Sequence, residues 1–281
     1  MNEAALALRR GELVVMPTET VYGLAGNALD PSAGAKIFAL KGRPANNPLI
    51  VHTLDPLSVA TDLCGGQSLL EKFWPGPLTL VLPKREHVPD AVTAGLTTVA
   101  VRMPDHPVAL ELLRESGLPL AAPSANKFTQ ISPTRAEDVS PEIRAGVFAV
   151  LDGGPCRVGI ESTILSLVGK PTILRLGDIS KSEIEEVLGR EVAIRTQGEI
   201  AAPGMHPRHY APSTPVTLVE ELAGREGIAL TGGPAEYAAQ LYARLQALDL
   251  RGLDAIYVEM PPETPEWAAV RDRLIRAAHI E

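Results

Sequence analysis

Short runs of apolar residues alternate along this chain with stretches whose apolar residues recur at helical spacing, which restricts the fold to the α/β class. Strand-like runs fall at residues 13–16, 49–52, 78–82, 97–102, 118–122, 147–151, 162–167 and 172–176. Helical stretches fall at 3–10, 32–40, 69–74, 107–115 and 181–188, the first capped by Asn2 and closed by Gly11. The connections differ in length and some strands are close together, so a mixed sheet is expected. Apolar residues at 45% can fill a core, and aromatics at 4% leave it to Leu, Val, Ile and Ala.

The alternation breaks at residues 196–214, where Pro203, Gly204, Pro207 and Pro212 stand with two histidines and little periodicity. That is the composition of a linker. Strands at 216–219, 227–230 and 255–258 and helices at 235–248 and 267–278 then restart the pattern. The expected organisation is a first domain over 1–195, a linker over 196–214, and a small α/β domain over 215–281. The last, at about 70 residues, is near the lower limit for a self-sufficient core.

A net charge of −8 argues against a surface that grips nucleic acid throughout, though it permits a local basic cleft. Cys64 and Cys156 are too few for a disulfide framework or a structural zinc site. His206-x-x-His209 has metal-like spacing without a third ligand nearby, so no metal site is assigned. The first residues lack the order of a signal peptide, and no apolar run reaches membrane-spanning length. A cytoplasmic location is expected.

Phosphate-loop and nucleophile-elbow patterns are absent, and Thr231-Gly232-Gly233 reads as a tight turn. Four polar clusters stand instead at strand ends, where open α/β sheets bind ligands. The first is Pro17-Thr18-Glu19-Thr20-Val21-Tyr22-Gly23-Leu24, whose hydroxyls suit a small polar ligand as well as an ordinary turn. The second is Lys41-Gly42-Arg43-Pro44, followed by Asn47-Pro48-Leu49-Ile50-Val51-His52. A mobile ammonium and a planar guanidinium one residue apart can face one polyanion. The third, Ala122-Pro123-Ser124-Ala125-Asn126 with Ser132, offers neutral hydrogen bonds beside small residues. The fourth runs from Asp152 through Gly153-Gly154 to Glu161-Ser162-Thr163, its glycines suited to unusual turns.

In this order the clusters resemble the threonylcarbamoyl-adenylate synthase family, the YrdC-like domain in its two-domain branch. Lys41-x-Arg43 with Ser124-x-Asn126, the Pro-Thr-Glu-Thr-Val-Tyr-Gly-Leu opening, Trp74-Pro75-Gly76-Pro77-Leu78-Thr79 and Val101-Arg102-Met103-Pro104 carry the resemblance over residues 1–190. The stretch Pro203-Gly204-Met205-His206-Pro207-Arg208-His209-Tyr210-Ala211-Pro212 is similar to the linker of that branch. One departure is Lys127-Phe128-Thr129-Gln130, where the family commonly has a Ser-Gly pair.

The resemblance implies a twisted mixed sheet flanked by helices around a deep cavity, then a linker and a small Rossmann-like α/β domain. It implies an L-threonylcarbamoyladenylate synthase that uses L-threonine, bicarbonate and ATP, with Mg2+ entering on the nucleotide. The product would go to a tRNA threonylcarbamoyl transferase complex, and tRNA is not required for this step. By matching positions, Thr20, His52, Arg102, Ala122 and Ser162 would surround threonine. Arg43, Asn47, Thr98, Ser124, Ser132 and Arg175 would bind ATP, with Lys41 and Asn126 near the phosphates. Lys41 and Arg43 would be the catalytic pair, and Tyr210 would fold over the nucleotide as part of a lid. Two rival readings are a carbamoyl-transfer protein of the same fold and a non-catalytic RNA-binding module.

Overall fold

The computed structural model describes residues 1–195 and 209–278, so most of the expected linker lies outside the described residues, His206 included. The first part holds a ten-stranded sheet. Its strands are β1 (Val14–Met16), β2 (Gly23–Asn27), β3 (Ile50–His52), β4 (Leu78–Pro83), β5 (Thr98–Arg102), β6 (Leu120–Ala121), β7 (Ala149–Val150), β8 (Thr163–Ser166), β9 (Thr172–Arg175) and β10 (Ala193–Ile194). They lie in the order β10-β9-β8-β4-β5-β3-β6-β2-β1-β7, with parallel and antiparallel neighbours mixed. A second sheet is entirely parallel, with β13 (Ile256–Glu259) between β11 (Val216–Val219) and β12 (Gly227–Ile228).

Several elements depart from expectation for local reasons. Asn2 is the first helical residue, Met1 stands at the cap position, and no side chain caps that helix. Strand β2 was not expected because Gly-Leu-Ala-Gly-Asn has no β-branched residue. Its small side chains are the reason it fits. A Cβ on Gly26 would stand 2.8 Å from Leu13 and 3.3 Å from Ile37, so the glycine lets the helix Pro31–Lys41 pack on the sheet. The runs at 118–122, 147–151 and 227–230 contribute only two-residue strands.

That helix sets up the site. Asp30 caps it by accepting from the Ser32 amide, and Pro31 fills its first turn. Gly42 closes it at φ +64, a left-handed conformation that a side chain would resist. Lys41 is therefore its last residue and Arg43 lies just past its cap.

The small unit does not bury its apolar face alone. Its core of Tyr237, Leu241, Tyr242, Leu245, Ile256, Trp267 and Leu274 is continuous with Val21, Ile131, Val158 and Ile160 of the first part. A core this small gains the missing apolar contact by docking.

Candidate active site

Register brings the charged residues together. Strands β3 and β5 run parallel with His52 opposite Arg102, and β6 runs antiparallel to β3 so that Ala122 donates its amide to Ile50 O. Strand β8 pairs with β9 so that Ile164 faces Arg175, which brings Ser162 beside that guanidinium. The result is a cavity of about 40 Å³ between the sheet, the turn after β1 and the chain from His209 onward. Among the described residues, the guanidiniums of Arg43, Arg102 and Arg175 line it, against the single carboxylate of Glu161.

At one end Arg102 is held on three sides. Its Nε donates to Gly76 O at 3.1 Å and its Nη1 to Thr20 Oγ1 at 2.9 Å. Its Nη2 stands 2.5 Å from Glu19 Oε1 without hydrogen-bond alignment, an ion pair with both side chains almost fully buried. Thr18 Oγ1 shares a 2.9 Å hydrogen bond with Thr20 Oγ1. Burial and Arg102 push His52 down to about 3, so its imidazole is neutral, and its buried Nδ1 has no partner. Ala122 adds a small wall.

At the other end Lys41 Nζ donates to the carbonyls of Ser124 and Asn126. Burial and Arg43 hold its ammonium well below the usual lysine range. Arg43 donates to Asn47 Oδ1 at 2.6 Å and to Pro48 O at 2.9 Å, and burial with Arg175 lowers it to about 9. Arg175 donates to Ser162 O and Oγ at 2.9 and 3.0 Å, and Ser162 Oγ also meets Thr79 Oγ1 at 2.8 Å. The Asn126 amide donates to Lys127 O and Gln130 O while its buried Oδ1 has no partner.

Of the expected site residues, Lys41, Asn47, Asn126 and Ser162 stand behind the residues that line the cavity, and Ser132 and Thr98 stand apart from it. Ser132 gives its hydroxyl to Glu161 Oε1 at 2.6 Å and is fully buried behind the cavity wall. Thr98 shares the Arg102 face of β5 but begins that strand, four residues away. At about 3.3 Å per residue that separates them by about 13 Å. In the loop without the family's glycine, Thr129 itself takes a positive φ of +70, a conformation costly for a β-branched residue. Its carbonyl accepts the Ala211 amide at 2.9 Å, which ties the loop to the last part of the linker.

Tyr210 enters the cavity from that chain at φ +62 and is buried, its hydroxyl without a partner. It stacks on Tyr242 at 5.9 Å and lies under the Arg273 guanidinium at 4.9 Å. Arg273, on the helix Ala268–Ala277, pairs with Glu161 at 2.9 Å. Thr18, Glu19, Glu161, His209, Tyr242 and Arg273 are the participants that sequence reasoning did not assign. Glu19 and Glu161 stood inside quoted motifs without a role. Arg273 carried no signal, since its helix reads as an ordinary amphipathic one.

Comparison with known proteins agrees over the whole length. A family model described as "Telomere recombination" matches residues 6–177, and one described as the C-terminal domain of threonylcarbamoyl-AMP synthase matches 179–279. The Bacillus subtilis threonylcarbamoyl-AMP synthase is 42% identical, covering 98% of this chain and 92% of its own. The crystal structure of Pyrococcus abyssi Sua5 complexed with L-threonine superposes with a TM-score of 0.92 at 40% identity, covering 99% of this chain and 93% of that one. Escherichia coli YciO, at 22% identity and a TM-score of 0.55, covers 63% of this chain and 88% of its own, a likeness of fold alone.

Proposed function

The chain belongs to the threonylcarbamoyl-AMP synthase family, and we propose that it condenses L-threonine, bicarbonate-derived CO2 and ATP into threonylcarbamoyl-AMP and pyrophosphate. One observation carries this reading. A buried cavity is lined by a guanidinium suited to a carboxylate, Arg102, and by two others suited to a triphosphate, Arg43 and Arg175, with Lys41 buried behind its wall against the carbonyls of Ser124 and Asn126. The solved relative bound to L-threonine supports the amino acid end.

The chemistry asks for positioning more than for covalent help. The threonine nitrogen attacks CO2 and loses a proton to give a carbamate. A carbamate oxygen then attacks the α-phosphorus, and pyrophosphate leaves with the bond's electron pair. Arg102 and Thr20 would hold the threonine carboxylate, and neutral His52, Ala122 and Ser162 would shape the space around it. Lys41, Arg43 and Arg175 would offset the charge that builds on the phosphate oxygens, with Asn47, Ser124 and Asn126 alongside. Tyr210, already buried over this end, would exclude water from the labile adenylate.

Mg2+ fits this cavity only as a companion of ATP. Among the described residues there is no group of three or more metal-ligating side chains, and both Glu161 oxygens are engaged by Ser132, Tyr242 and Arg273. Phosphate oxygens and water would therefore hold the ion, which would supply further charge neutralisation. Among the described residues no helix is long and apolar enough to cross a membrane. We place the enzyme in the cytoplasm, where its product would supply a transferase complex that modifies the adenosine beside the tRNA anticodon. Pyrophosphate release should require both L-threonine and bicarbonate. Turnover of ATP that ignores the omission of threonine would sink this assignment.

A further inference from the structure

Glu161 is out of character with its surroundings. Among the described residues it is the one carboxylate lining a cavity of guanidiniums, it is 6% exposed, and its charge would oppose a triphosphate held by Arg43 and Arg175. Its surroundings are arranged to hide that charge. Oε1 accepts from Ser132 Oγ at 2.6 Å, and Oε2 accepts from Tyr242 Oη at 3.0 Å and Arg273 Nε at 2.9 Å. Arg273 is fully buried, donates a second time to Leu176 O at 2.8 Å, and pairs with Asp272 at 2.8 Å. Burial alone would raise the Glu161 carboxyl, but Arg273 and Arg175 hold it below the usual range, so it stays ionised and needs its partners. Two of the three donors, Tyr242 and Arg273, belong to the small C-terminal unit.

We propose that Arg273, assisted by Tyr242, is a positioning residue that neutralises Glu161 and thereby makes the cavity accept the ATP triphosphate. The small unit then contributes to catalysis through a charge placed inside the other domain. The proposal rests on the nucleotide reading above and names what tunes that site.

The test uses the full chain and a non-hydrolysable ATP analogue, with binding followed by calorimetry and L-threonine binding measured alongside. Arg273→Met should weaken analogue binding about tenfold or more and leave threonine binding within about threefold, because the unmatched carboxylate acts on the phosphates. Adding Glu161→Gln to that variant should restore analogue binding to within about threefold of Glu161→Gln alone. If the double variant stays as weak as Arg273→Met, Arg273 acts directly or only structurally, and the proposal is overturned. If Arg273→Met does not fold, Tyr242→Phe removes a single hydroxyl from Glu161. It should weaken the analogue about threefold, again relieved by Glu161→Gln, and unchanged binding would overturn the proposal. A wild-type chain that binds threonine but no analogue would instead overturn the nucleotide reading itself.

Discussion

The two ends of the cavity use the same device, a buried arginine–glutamate pair, but assemble it differently. Arg102 and Glu19 both come from strand ends or the turn after β1, so the pair exists once the large sheet has formed. Glu161 meets Arg273 across 112 positions of sequence and from another sheet's helix. The Arg102 end of the cavity is thus completed within one domain, whereas the wall beside Arg43 and Arg175 is completed only on docking. Removing one partner of either pair strands a buried charge, at about 3–5 kcal/mol.

The largest effect should come from the cation group. Arg43→Ala and Lys41→Ala should each lower turnover about a hundredfold or more, with circular dichroism unchanged; a normal rate would break the assignment of that end. Arg102→Ala should raise the KM for threonine about a hundredfold while analogue binding stays within about threefold, so equal losses at both ends would show that the cavity is not divided as described. Removing residues 196–281 should cut activity about tenfold or more and leave Val21, Ile131, Val158 and Ile160 uncovered. Wild-type rates from residues 1–195 would make the docked unit dispensable. A separate effect is on stability with pH. His52 titrates at about 3 in the folded chain against 6.5 when unperturbed, so folding favours its neutral form. Stability should be full above pH 6.5 and fall as pH drops from 6.5 towards 3, by about 1.4 kcal/mol per unit. His52→Gln should flatten that slope in thermal melts, and an unchanged slope would remove His52 as its source.

Fold class and the chemistry-bearing clusters were legible because each is local. Apolar runs such as Leu78–Pro83 announce a buried strand, and Asp30-Pro31 with Gly42 brackets a helix. Strand β2 was illegible because its glycines serve packing from above, which no propensity records. Ser132 reads as a ligand-facing hydroxyl until Glu161 is seen to accept from it. Arg273 was illegible for a deeper reason. On a helix with alternating charges an arginine usually faces water, and only docking puts this one at 1% exposure.

The Glu161–Arg273 contact also bears on descent. If Arg273 neutralises Glu161 as proposed, residue 161 should distinguish chains that keep the second half from chains that do without it.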